Sequence, residues 1–183
     1  MKYQLHLKQF LPFLAFLLLF GSCKEEHISE EIDLVDEDMI AATKLADEYL
    51  NASKGRQGSE KAVTVLKFKD DKLYYATTAD DVTSYTEVNE ETITASAKPG
   101  GYVFWYCGGG LSDLDGIEFD ESSQLKLVDA PEEINADKMW VIAIPEDFDE
   151  EDGMLKYDIV YNFKGNDGPP IRLDPKIKIT EAD

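Results

Sequence analysis

Histidine is almost missing from this chain of 183 residues: His6 and His27 are the two present, and none follows residue 27. Whatever folds beyond that point has no imidazole. That excludes Ser-His and Cys-His nucleophilic catalysis, the two-imidazole blue-copper site and the usual zinc hydrolase centre from the main body. Cysteine is equally scarce, at Cys23 and Cys107. The one run of glycines, Gly108-Gly109-Gly110, lacks the Lys-Ser/Thr that a phosphate cradle requires. Positive charge is short as well: 18 Lys and Arg face 38 Asp and Glu, a formal net charge of −20. Such a surface repels phosphate backbones and anionic headgroups, so nucleic acid is excluded as a partner.

Long apolar runs are confined to the beginning. Lys2 and Lys8 flank a charged start, Leu11 to Phe20 are almost wholly apolar, and Gly21-Ser22-Cys23 follows. About ten apolar residues are too few to span a ~30 Å hydrocarbon core as a helix. The order of positive start, apolar core and small residues before a cysteine resembles a bacterial lipoprotein signal peptide. It departs from the commonest pattern at Phe20, where leucine is usual. The resemblance covers residues 1–26 and implies removal of residues 1–22 and attachment of a diacylglyceryl group to the Cys23 thiol. Lys24, Glu25 and Glu26 are similar to the lysine-plus-acids signal of Bacteroidota lipoproteins. That signal implies export to the outer membrane with the protein facing the cell exterior; the periplasmic face is the alternative.

Cleavage before Cys23 removes two of the 18 basic residues and none of the 38 acids, which leaves a net charge of −22. The lipid, rather than the protein surface, then has to hold the chain on the membrane. With Cys23 acylated, Cys107 is the remaining thiol and no intramolecular disulfide can form. The domain has to be stable through packing alone. Hydrophobic residues make up 43% of the sequence, enough for a core despite the acidity. Cys107 reads as a small buried hydrophobe at a strand end.

Residues 23–37 are charged, without a sustained period, and read as a lipidated tether whose residues 24–37 reach at most ~50 Å. From Asp38 to Ser53, Met39, Ala42, Leu45, Ala46, Tyr49 and Leu50 fall on one face at helical spacing, with Lys44, Asp47 and Glu48 opposite. Residues 38–55 are therefore expected to form an amphipathic helix packed on the domain, with Ile40 off the stripe. Asp36 or Asp38 is available as its cap and Gly55 as its stop.

After Glu60 the pattern is that of strands. Ala62 to Lys69 and Leu73 to Thr78 are separated by Asp70-Asp71-Lys72, a hairpin signal. Further strands are expected at Tyr85–Val88, Thr92–Ala97, Tyr102–Cys107, Gly116–Phe119, Leu125–Val128, Met139–Ile144, Leu155–Phe163 and Ile171–Ile179 with a break at Pro175. Short strands at this spacing predict a mainly β chain: an antiparallel β-sandwich over residues 60–183, preceded by one helix. Without βαβ alternation, parallel pairing is not expected. The closing segment from Lys156 to Ile179 is similar to the last hairpin of small immunoglobulin-like sandwiches of exported Bacteroidota proteins, which bears on fold and not on activity.

Two features could carry binding. Asp147, Asp149 and Glu151 cluster near Gly153, and Ser112-Asp113-Leu114-Asp115-Gly116 offers two more carboxylates. Calcium takes six to eight oxygens from such loops, although neither stretch has EF-hand spacing, and both also read as solvated acidic loops. No other cofactor is suggested. Tyr102, Phe104 and Tyr106 share one face of a strand, with Val103, Trp105 and Cys107 on the other. Exposed aromatic rows bind sugars and peptides, but the 38–55 helix is free to cover that face and make it core. The expectation for function is a non-catalytic binding or assembly module on the outer membrane, with a protein or glycan partner. The alternative is a small carboxylate-dependent glycan-processing hydrolase or its accessory subunit.

Overall fold

The computed structural model describes residues 37–52, 54–78, 85–135, 138–148 and 153–180. Helix α1 spans Glu37–Asn51. Five strands follow, β1 (Lys61–Lys69), β2 (Lys72–Thr77), β3 (Thr86–Glu87), β4 (Ile93–Ala97) and β5 (Tyr102–Cys107). Next come β6 (Leu111–Phe119), the single-turn helix α2 (Glu121–Gln124), β7 (Glu132–Asn135) and β8 (Met139–Ala143). The last strands are β9 (Met154–Phe163), β10 (Ile171–Leu173) and β11 (Lys176–Ile179).

The strands form two sheets. The first has the order β3-β2-β1-β5-β8-β7. In the second, β6 pairs with one edge of β9, β10 and β11 share its other edge, and β4 lies beyond β11. Side chains from both sheets meet in one core, including Leu66, Trp105 and Ile142 from the first and Leu155, Ile159 and Ile177 from the second. This is the mainly β sandwich with one amphipathic helix ahead of it that the sequence predicts.

The first sheet is buried on both faces because strand side chains alternate. On β1, Ala62 and Leu66 point into the sandwich while Val63 and Val65 join Ala42, Ala46 and Leu50 of α1. On β5, Val103, Trp105 and Cys107 face the sandwich, and Phe104 faces the helix. Burying one side chain the size of Leu50 contributes about 1.5–3 kcal/mol, so the apolar stripe accounts for the docking of α1. Ile40, off the stripe, is 59% exposed. Asp38 lies within the first turn of α1; its carboxylate accepts the Gly109 N–H at 3.0 Å and pairs with Lys67 at 3.2 Å, pinning that turn to β1 and the β5–β6 turn. Asp36 lies outside the described residues.

The β1–β2 hairpin closes as expected, with Lys69 opposite Lys72 and left-handed φ values of 51° and 59° at Asp70 and Asp71, the geometry of a two-residue primed turn. Pairing is otherwise antiparallel except at two joints. β1 pairs with β5, and β11 with β4, in parallel. Parallel neighbours need a long connection; here the chain supplies it by visiting β2, β3 and β4 between β1 and β5 rather than through a helix.

Three stretches depart from the sequence reading. β6 begins at Leu111, so the expected Ser112–Gly116 loop is strand. Its register shifts between Leu111 and Asp113 and again between Leu114 and Gly116, and those bulges hide the period of two. β7, Glu132–Asn135, has one half-buried apolar residue, Ile134, and so gave no strand signal. Leu125–Val128, expected as a strand, is a turn and loop after α2. There, the Lys156 N–H that a further strand would pair with is taken by Ser123 Oγ at 2.9 Å, and the Lys156 carbonyl accepts the Asp120 N–H at 3.2 Å.

Candidate functional site

The aromatic row is spent on packing. Phe104 has no exposed surface; Tyr49 of α1 meets it edge-on, with ring centroids 5.8 Å apart. Tyr102 and Tyr106 are half-buried beside the same helix. The expectation of a ligand-binding row at Tyr102, Phe104 and Tyr106 is therefore corrected at Phe104, which α1 covers completely. At one end of the helix the Tyr49 hydroxyl donates to Glu132 at 2.9 Å, and the Arg56 guanidinium lies 4.4 Å from the ring centroid. Burial, with the hydrogen bond to Glu132 second, pushes the Tyr49 phenol up to about 12. The Tyr49–Glu132 bond fastens the helix to β7.

Cys23, Lys24, Glu25 and Glu26 lie outside the described residues, as do Asp149 and Glu151. Asp147 is described and exposed. Asp113 and Asp115 stand on β6, and the Asn162 amide of β9 donates to both carboxylates, at 3.3 and 3.1 Å. Among the described residues, no group of three His, Cys, Asp or Glu side chains is placed to hold a metal ion.

Cys107 is buried at the end of β5, as its strand-end position suggested. Burial pushes its thiol up to about 11, so the fold favours the neutral thiol over the thiolate. The adjacent glycines have a packing reason. A Cβ on Gly110 would sit 1.9 Å from the Phe68 carbonyl oxygen, and one on Gly108 would sit 2.7 Å from that of Leu66. The glycines let the chain pass against the backbone of β1 as it crosses from one sheet to the other.

The surface feature that sequence reasoning missed is the loop after α2. Leu125 is 81% exposed and Val128 80%, the highest values among the large hydrophobic residues described as exposed. The loop is built firmly. Asp120 accepts the Ser123 N–H at 2.7 Å as the N-cap of α2, and its carboxyl is held below the ordinary carboxylate range mainly by its hydrogen bonds to Ser123, against a smaller opposing effect of burial. Successive backbone bonds run from Gln124 to Asp120, Leu125 to Glu121, Lys126 to Ser123 and Leu127 to Gln124. Leu127 and Phe148 are buried beneath. Between them and the two exposed tips lies an open groove of about 330 Å³, lined also by Lys126, Pro145 and Asp147. The signal was in the sequence: Asp-Glu-Ser-Ser at 120–123 is a helix start, and a helix start is incompatible with a strand beginning at Leu125.

No protein-family model matches this chain, and no curated protein matches it.

Proposed function

We propose that this protein is a non-catalytic binding or assembly module, lipid-anchored through Cys23 on the outer membrane and facing outward. The anchor rests on the residues before and after Cys23: the positive start, the apolar core, Gly21-Ser22, and then Lys24-Glu25-Glu26. Two or three acyl chains, at ~0.8 kcal/mol per buried CH₂, give lasting attachment.

The binding role rests on one observation. Two aliphatic side chains, Leu125 and Val128, project into water at a turn whose backbone hydrogen bonds run through Leu127 and whose base is packed. Side chains this exposed add little to folding, and apolar surface of this kind is available to a partner. The burial of the Cys107 thiol fits a role without a cysteine nucleophile.

Metabolic labelling with palmitate tests the anchor. Wild type incorporates label and Cys23→Ala does not; continued labelling of the variant would sink the reading. Protease shaving of intact cells tests orientation. Wild type is cut, and replacing Lys24, Glu25 and Glu26 together by Ala lowers cutting without changing the lipid. Protection of wild type until lysis assigns the periplasmic face instead.

A further inference from the structure

α1 covers the outer face of the first sheet. On the second sheet the outer face stands open where β9 begins. Alternation sends Leu155, Ile177 and Ala95 into the core, so Met154 and Lys156 of β9 and Lys176 and Lys178 of β11 point the other way. Register sets them side by side: Lys176 is opposite Lys156, Lys178 is opposite Met154, and Ile93 of β4 is opposite Lys176. Lys156 and Lys178 are exposed and Lys176 is half-buried. Met154 is 37% exposed and Ile93 39%.

Like charges directly opposite each other on a sheet are destabilising. Here two lysines face each other in a chain with 38 acids and 18 basic residues, where opposite charge was to hand. Among the described residues, none of the three lysines forms an ion pair. The acids on the same face are engaged elsewhere. Glu118 and Asp158 share Arg172, at 2.6 and 3.0 Å. Asp120, whose N–H bonds the Lys156 carbonyl, accepts from Ser122 and Ser123.

We infer that Lys156, Lys176 and Lys178, with Met154 and Ile93, form the face that lies against the anionic headgroups of the membrane carrying the chain; this rests on the lipid-anchor reading above. None of the five lines the grooves at Lys126, Glu60 or Met39, so they offer a flat face rather than a cleft. Unpaired ammonium groups beside aliphatic tips match a headgroup layer, with the charges at the phosphates and the tips between them. The anchor supplies the proximity, since a tether of at most ~50 Å keeps the membrane within reach. Each lysine adds a small attraction near such a surface, so the three orient a domain that the lipid holds. The net charge of −20 does not decide this, because charge is felt over about 8 Å at physiological salt. The acids of α1 and the first sheet stand behind a sheet-to-sheet spacing of about 10 Å.

For the test, the chain is coupled through its Cys23 thiol to a maleimide lipid in vesicles, which holds it there whether or not cells acylate it. Cys107 is buried and does not compete. The reactivity of each lysine toward a water-soluble hydroxysuccinimide ester is read by mass spectrometry, on phosphatidylcholine vesicles and on vesicles that also contain phosphatidylglycerol. Lys156, Lys176 and Lys178 are expected to react about threefold or more slowly on the anionic vesicles and to recover in 1 M salt, where screening acts within about 3 Å. Lys44 and Lys54, both exposed, keep one rate throughout. Lys176→Glu is expected to abolish the protection of Lys156 and Lys178 and to raise the thermal midpoint, because it turns a like-charged pair into an opposite one. Equal reactivity on the two kinds of vesicle overturns the inference: the acids of the chain, Asp149, Glu150, Glu151 and Asp152 ahead of β9 among them, then outweigh the lysines. Equal slowing of Lys44 and Lys54 overturns it as well, since the whole surface is then shielded. Protection by soluble polyglutamate but not by anionic vesicles assigns the face to an acidic protein partner instead. Failed palmitate labelling in cells defeats the anchor and leaves these rates unchanged, so the two readings fail separately.

Discussion

Trp105 of the first sheet donates its indole N–H to the Tyr157 hydroxyl oxygen of the second, at 3.0 Å, with ring centroids 5.3 Å apart. Tyr157 also shares a hydrogen bond with the Thr94 hydroxyl, and the Thr64 hydroxyl donates to the Thr94 carbonyl at 3.1 Å. All four side chains are buried, so this polar chain stitches the two sheets together where an unpaired group would be expensive.

Tyr157→Phe keeps the ring and strands the indole N–H. The expected loss is about 1–3 kcal/mol, the cost of an unsatisfied buried donor, measured as a lower urea midpoint with unchanged slope. A loss below about 0.5 kcal/mol would show that the bond adds nothing beyond ring packing. Burial also raises the Tyr157 phenol above its ordinary range, so its absorbance should not titrate before the protein unfolds.

Phe104→Ala should cost about 3–5 kcal/mol, as large aromatic truncations in cores do, and should loosen α1. Hydrogen exchange of the α1 amides reads this directly. A variant with native stability would return Phe104 to the list of surface aromatics.

Cys107 should be inert in the native state at pH 8 and react quickly with a disulfide reagent in urea. Its thiol is raised by burial to about 11 in the fold against about 8.5–9 unfolded. The neutral thiol is the form the fold favours, so its contribution is complete below the unfolded value and is lost as pH rises through about 11. Cys107→Ser should shrink the stability change measured across that window. Fast native reaction at pH 8 would contradict the buried placement.

Asp120→Ala removes the α2 cap and should cost about 1 kcal/mol, while Asp120→Asn keeps an acceptor and costs less. The Asp120 carboxyl is lowered in the fold, by Ser123 first. Its contribution is therefore present above the unfolded value of about 4 and fades as pH falls through the folded one. Wild type should lose this increment on acidification and Asp120→Asn should not. Faster amide exchange at Leu125 to Leu127 in Asp120→Ala would show that the cap holds the loop.

Gly110→Ala combines a left-handed φ of 82° with a Cβ 1.9 Å from the Phe68 carbonyl oxygen. Gly165→Ala shares the strained φ, at 94°, but meets open space. The second should cost about 1–2 kcal/mol, the price of the left-handed backbone, and the first clearly more, because β1 has to move. Comparable thermal midpoints for the two would remove the packing explanation of the triple glycine.

Periodicity alone made α1 legible, because the stripe through Ala42, Ala46 and Leu50 is a local property of a helix. The β1–β2 hairpin was equally legible, since Asp70-Asp71 accepts the left-handed backbone a primed turn needs. The strand at Tyr102–Cys107 and the break at Pro175 were local in the same sense. The aromatic row illustrates where this stops. Alternation fixed which side chains share a face with Phe104, but only the docking of α1 decided that this face is core.

The rest depended on contacts between residues far apart in the chain. Two bulges against β9 erased the alternation in β6, and a strand as polar as β7 exists only because β8 offers it an edge. The parallel joints β1–β5 and β4–β11 follow from where the chain returns after crossing sheets, which no local period encodes. Leu125 and Val128 look like strand residues in sequence; the Asp120 cap and the Lys156–Ser123 bond turn them outward. Sequence thus determined the acidity, the absence of imidazole beyond residue 27 and the local elements, because these are properties of composition and short-range spacing. Tertiary structure decided which apolar residues are core and which are surface, because burial depends on what packs against a side chain.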